Sequence, residues 1–148
     1  MRPLIAVNGK GGTGKSTLTA LLVQQLVSDG VRPILAVDAD PIYCLAELLG
    51  VELEGTMAEL RDAAREKVND PSGVSIASRI DLGLNEILCE GIGFDVLTMG
   101  QPEGPGCYCY INALLKDWLA RTARNYAMCV VDNRAGLEHL SRLVTSEI

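Results

Sequence analysis

The densest chemistry in this 148-residue chain lies in nine residues, Gly9-Lys10-Gly11-Gly12-Thr13-Gly14-Lys15-Ser16-Thr17. They satisfy the phosphate-loop pattern G-x-x-x-x-G-K-[ST]. Lacking side chains, Gly11, Gly12 and Gly14 let the backbone curl into a nest of N–H donors around phosphate oxygens, at the positive end of a helix dipole. Lys15 is then placed to reach β- and γ-phosphates, and the Ser16 hydroxyl to ligate Mg²⁺. Such a loop must join a strand to a helix. Leu4-Ile5-Ala6-Val7 has the length and β-branching of a buried strand. Leu18, Leu21, Leu22 and Leu26 recur at helical spacing, which predicts a helix over 15–29 stopped by Gly30.

Other carboxylates sit where further strands should end. Pro33-Ile34-Leu35-Ala36-Val37 reads as a second buried strand, making residues 3–37 a βαβ unit with a parallel sheet. It delivers Asp38-Ala39-Asp40-Pro41 to the sheet's C-terminal end, where open α/β sheets bind ligands. After a loop and short helix over 42–55, Thr56-Met57-Ala58-Glu59 forms a capping box that opens a helix to about residue 68. Its apolar stripe is Met57, Leu60, Ala64 and Val68. Ile80, Leu84, Ile87 and Leu88 suggest a further amphipathic stretch, and Phe94 to Met99 a third strand. A helix to about Asn125 follows an irregular Gly100–Gly106, with Ile111, Leu114, Leu115, Trp118 and Leu119 facing the core. The fourth strand, 127–132, ends on Asp132, the position of a Walker B carboxylate that holds Mg²⁺ through water. Gly136 lies in the next loop, where a backbone N–H senses a γ-phosphate. No repeat or linker interrupts the chain. The expectation is one α/β domain over 1–148, a P-loop NTPase three-layer fold with a mostly parallel central sheet.

A net charge of −6, with no lysine or arginine cluster, argues against a nucleic-acid partner. No apolar run reaches membrane-spanning length, and a strand beginning at residue 3 leaves no room for a signal peptide. Cytoplasm is the expected compartment. Five cysteines without an export signal do not suggest a disulfide framework. Cys44, Cys89 and Cys129 read as small core residues. Cys107 and Cys109 differ: two thiolates on one short stretch suit Zn²⁺ or Ni²⁺. A helix N-terminus beside them would favour the thiolate form. Two thiolates leave a four-coordinate site half-filled, and an isologous dimer with one C-x-C from each chain completes it. The plainer alternative is a pair of unrelated loop cysteines.

Lys10, directly after the first glycine, makes the loop resemble the deviant Walker A of the MinD, ParA and nitrogenase iron protein class. The resemblance implies that Lys10 reaches across a nucleotide-sandwich dimer to the partner's phosphates. It implies that the aspartate at Asp40 orients the attacking water and that the one at Asp38 sits nearer the metal. Residues Met99 to Cys109, then Asn112, and Asp132-Asn133-Arg134-Ala135-Gly136-Leu137-Glu138-His139-Leu140-Ser141-Arg142 closely resemble CooC-type ATPases, accessory proteins that insert nickel into carbon monoxide dehydrogenase. The resemblance spans all 148 residues. It implies an ATP-hydrolysing homodimer with catalytic Lys10, Lys15 and Asp40, and nucleotide held by residues 9–17 and Gly136. It further implies Mg²⁺ on Ser16, Asp38 and Asp132, and Ni²⁺ or Zn²⁺ shared through Cys107 and Cys109. Carbon monoxide dehydrogenase is the implied acceptor. Two departures stand out: Arg134 where the family usually has an acidic residue, and the missing C-terminal strands, including the adenine-recognition segment. A truncated chain with one uncovered strand is therefore expected. His139 offers a nickel-binding imidazole or a packing side chain. Competing readings are a ParA- or MinD-like positioning switch, an iron–sulfur reductase with widely spaced cysteines, and an inactive fragment.

Overall fold

The computed structural model describes residues 3–66, 73–101 and 107–133. Its strands are β1 (Leu4–Val7), β2 (Ile34–Asp38), β3 (Cys89–Glu90), β4 (Phe94–Thr98) and β5 (Met128–Asp132). Its helices are α1 (Lys15–Ser28), α2 (Leu45–Leu49), α3 (Met57–Glu66), α4 (Ile76–Glu86) and α5 (Cys107–Thr122), the last running into a 3-10 turn at Ala123–Asn125. The sheet order is β1-β5-β2-β4-β3. The first four are mutually parallel, and β3 pairs antiparallel with β4.

Alternation along the strands divides the core into two layers. Ile34, Ala36, Val96 and Val130 face α1 and α2, packing with Ala20, Val23, Leu45 and Leu49. Leu35, Val37, Leu97 and Val131 face α3, α4 and α5, packing with Met57, Ile80, Leu84, Ile111, Leu115 and Trp118. Because both faces are covered, the central strands are continuous apolar runs, as a buried parallel sheet requires. The three-layer α/β architecture expected from the sequence is the one observed. Among the described residues β1 pairs only with β5 and stands at an edge, half-buried along its length.

Element boundaries follow local chemistry. Gly14, with φ of 78°, turns the chain into α1, and Gly30, at 84°, accompanies its end. The capping box is reciprocal: Thr56 N–H donates to Glu59 Oε2 at 2.9 Å, and Glu59 N–H donates to Thr56 Oγ1 at 3.2 Å. The predicted continuation of α3 to Val68 lies outside the described residues, as does the irregular stretch 102–106.

Two expectations change. The stretch 74–92 is a helix followed by a two-residue strand: after α4 the chain reverses through Gly91-Ile92-Gly93 and pairs Cys89 with Val96. Cys89 and Cys129 are buried, but Cys44 is only half-buried at the head of α2, where its N–H donates to Asp38 Oδ2 at 3.0 Å. It sits at a loop-to-helix junction rather than in the core.

Candidate functional site

The C-terminal strand ends are laced together beyond the sheet itself. Asn133 N–H donates to the Val7 carbonyl at 3.0 Å, Ala39 N–H to the Asp132 carbonyl at 2.9 Å, and Met99 N–H to the Asp38 carbonyl at 2.9 Å. This lacing holds four chain segments at one rim. The sheet register sets Asp38 opposite both Asp132 and Thr98, so the three side chains share the α1/α2 face.

The loop between β1 and α1 opens at this rim. Thr13 Oγ1 donates to the Lys10 carbonyl at 2.7 Å, and Lys15 Nζ donates to the same oxygen at 3.2 Å. Lys15 thus folds back along the loop's inner side. Gly12 takes φ of 75°, and a side-chain carbon added at Gly11 or Gly12 would meet nothing within 4 Å. The concavity is open. Lys10, Gly11, Gly12, Thr13, Gly14 and Thr17 are exposed; Gly9, Lys15 and Ser16 are half-buried. Thr19, wholly buried, donates its hydroxyl to the Lys15 carbonyl at 2.8 Å and steadies the first turn of α1.

Asp132 is fully buried, and among the described residues neither carboxylate oxygen accepts a hydrogen bond of normal geometry. Burial raises its pKa, the nearby Ser16 hydroxyl and Lys15 ammonium draw it down, and Asp40 raises it again. Two oxygens without a well-formed hydrogen bond, beside a serine hydroxyl, are what an oxygen-seeking hard cation would satisfy. Ser16 and Asp132 therefore fit Mg²⁺.

Asp38 is equally buried but differently engaged. Its Oδ1 accepts from Asp40 N–H at 3.1 Å, and its Oδ2 accepts from Cys44 N–H at 3.0 Å and Leu45 N–H at 2.9 Å. Burial pushes its pKa up to about 6 against these three donors, with the Asp132 carboxylate adding to the rise. Asp38 shapes the loop after β2. Asp40, half-buried, accepts from Ile42 N–H at 3.0 Å and lies near enough to Asp132 to raise that residue's pKa. The predicted residues Lys15, Ser16, Asp38, Asp40 and Asp132 are therefore gathered at one rim.

Sequence reading assigned no role to Asn133. It is fully buried and donates Nδ2 to Asn8 Oδ1 at 2.8 Å. Its place directly after a strand-terminal aspartate was the available signal. Gly136, Arg134 and His139 lie outside the described residues. The backbone of Cys107 and Cys109 forms the start of α5, while their side chains lie outside what is described. Among the described residues no group of three or more His, Cys, Asp or Glu is gathered for a metal, and no helix is long and apolar enough to cross a membrane. A separate cleft of about 490 Å³, lined in part by Ile42, Tyr43, Glu59 and Gln101, opens beyond the Asp40 loop.

With this geometry in place, the chain resembles several known proteins. It is 43% identical over 148 residues to an uncharacterized ATP-binding protein of Methanocaldococcus jannaschii, covering 98% of this chain and 58% of that one. It is 34% identical over 150 residues to the carbon monoxide dehydrogenase accessory protein CooC of Rhodospirillum rubrum, covering 93% of this chain and 57% of CooC. The chain thus spans less than two thirds of these relatives. Among solved structures, a ParA family ATPase from Chlorobium tepidum superposes with a TM-score of 0.65 at 20% identity, covering 100% of this chain and 58% of that one. The septum site-determining protein MinD of Pyrococcus horikoshii, complexed with Mg-ADP, gives 0.62 at 24%, covering 99% and 55%. These two likenesses speak for the fold. Residues 4–146 match the model of the CobQ/CobB/MinD/ParA nucleotide binding domain, and the chain belongs to that family.

Proposed function

We propose that this chain is the nucleotide-binding part of an ATP-hydrolysing accessory protein of the CooC kind. Mg-ATP occupies the loop Gly9–Thr17, with Lys15 on the β- and γ-phosphates, Ser16 and Asp132 toward the magnesium ion, and Gly136 reporting the γ-phosphate. The observation that carries this reading is the Asp132 carboxylate, buried beside Ser16 and Lys15 with neither oxygen in a hydrogen bond of normal geometry among the described residues. A buried charge left this way costs free energy until a cation reaches it. When bound, magnesium neutralises charge on the transferring phosphoryl group.

The chain's own side chains supply the remaining steps. Lys15, now resting on the Lys10 carbonyl, exchanges that contact for phosphate oxygens. Asp40 orients the attacking water. Asp38 keeps Asp40 in place through the loop it caps, and contributes charge near the metal rather than a free oxygen. Lys10, exposed at the loop's tip, is available to the phosphates of a second copy in a nucleotide-bridged homodimer.

Ni²⁺ or Zn²⁺ is the cargo, held by Cys107 and Cys109 from both chains and passed to carbon monoxide dehydrogenase in the cytoplasm. The likeness to CooC supports this part of the reading. Metal titration of the purified chain tests it. One ion per two chains is expected, and either Cys107→Ser or Cys109→Ser should abolish it, because symmetry removes two of four ligands. Nucleotide binding should survive in both variants. One ion per single chain, or metal retained by the double variant, would return the two cysteines to the plain reading of unrelated loop residues.

A further inference from the structure

The end of β5 is fastened to the start of the phosphate loop at two points. Asn133 N–H donates to the Val7 carbonyl, and Asn133 Nδ2 donates to Asn8 Oδ1 at 2.8 Å, across 125 positions of sequence. The backbone bond extends the sheet. The side-chain bond does something more specific: it ties the residue before Gly9 to the residue after Asp132. Asn133 is fully buried, whereas Asn8 is exposed.

The bond leaves the buried amide incompletely satisfied. Among the described residues Asn133 Oδ1 has no partner. Turning both amides over would leave a buried N–H unpaired instead, so an unmet valence persists in either orientation. An apolar side chain would carry no such penalty. The asparagine is thus poorly explained by packing and well explained by what it holds.

What it holds is the loop's footing. The contacts inside the loop, from Thr13 and Lys15 to the Lys10 carbonyl, set its shape but not its place on the sheet. A side-chain carbon at Gly9 would stand 3.2 Å from Thr13 Oγ1 and 3.4 Å from Lys15 Cδ, so the loop is tight immediately beyond Asn8.

We propose that the Asn133–Asn8 hydrogen bond is a latch that fixes the phosphate loop to the end of β5, making Asn133 a positioning residue for nucleotide binding. This rests on the reading of Gly9–Thr17 as the nucleotide site. While the latch holds, the loop's donors are preorganised and binding is tighter. Displacing Asn133 frees Asn8 and weakens it. The linkage runs both ways, so nucleotide in the loop also favours the latched position of Asn133.

Equilibrium binding of Mg-ADP to the full chain, in the parent, Asn8→Ala, Asn133→Ala and the double variant, tests the latch. Each single change should weaken binding roughly three- to tenfold, the loss of one hydrogen bond, and the double should be no weaker than the weaker single. Melting the same proteins without nucleotide separates the roles. A contact that only stabilises the fold lowers Tm but leaves the affinity of the folded protein at the parent value. Parent-like affinity in Asn8→Ala, or losses that simply add, would overturn the latch. Asn8 is exposed, so its variant keeps the test valid even if Asn133→Ala fails to fold. Lys15→Ala is the control: if it binds Mg-ADP as the parent does, the nucleotide reading falls first, and the latch with it.

Discussion

Two buried aspartates sit one strand apart and meet their burial in different ways. Asp38 is surrounded by three backbone donors, yet its pKa still climbs to about 6. The folded chain therefore binds more protons than the unfolded one between the ordinary value of 3.8 and about 6. Stability contributed by the protonated form is full below that window and is lost as pH rises through it. The shift corresponds to about 3 kcal/mol. Asp38→Asn should lack this loss, so the parent should fall relative to the variant by about that amount between pH 4 and pH 7, as read by urea unfolding in EDTA. A difference between parent and variant that stays constant with pH would refute the assignment. Among the described residues Asp132 has no comparable set of donors, and its oxygens are free to meet an incoming cation instead.

The elements that carry these residues depend on local fastenings. Thr56 and Glu59 close a reciprocal cap on α3, and Ala58 N–H donates to the Met99 carbonyl, so the helix start is pinned to the end of β4. Thr56→Ala should reduce stability by about 1–2 kcal/mol, measured by urea unfolding. An unchanged midpoint would mean the cap is dispensable. At Gly100, with φ of 73°, a side-chain carbon would stand 2.6 Å from Thr56 Oγ1, so Gly100→Ala should cost about 1–3 kcal/mol through both strain and collision. Gly100→Ala with parent stability would show that this corner relaxes freely.

The parallel strands and the capping box were legible because each has a strong local signature: unbroken apolar runs bounded by turns, and a Thr-x-x-Glu motif. β3 was not, because two residues show no alternation. Its only local hint was the glycine pair around Ile92. The strand-end aspartates were readable as candidates, but their unlike burial partners depend on contacts between segments far apart in the chain. Asp38 meets Cys44 and Leu45 through a fold in its own loop, whereas the Asn8–Asn133 bond spans almost the whole sequence. Neither periodicity nor spacing encodes such a pairing.

The described part of the molecule gathers its candidate residues on one rim of a three-layer sandwich, with Lys10 exposed in the loop. In the proposed dimer this lysine serves the phosphates of a second copy. Lys10→Ala should therefore retain ATP binding yet lose ATP-dependent dimerisation, by sedimentation or light scattering, and turnover should fall with it. Equal dimerisation and turnover in parent and variant would make Lys10 an ordinary surface residue.

Calorimetric titration with ATP, with and without Mg²⁺, tests most directly whether the loop Gly9–Thr17 and Asp132 form one Mg-ATP site. The parent should bind Mg-ATP, and Lys15→Ala should lose affinity by roughly 100-fold or more as the phosphate-facing charge disappears. Asp132→Ala should bind magnesium-free ATP like the parent but gain little when Mg²⁺ is added. Parent-like Mg-ATP binding in both variants would contradict the assignment of this rim as the nucleotide site.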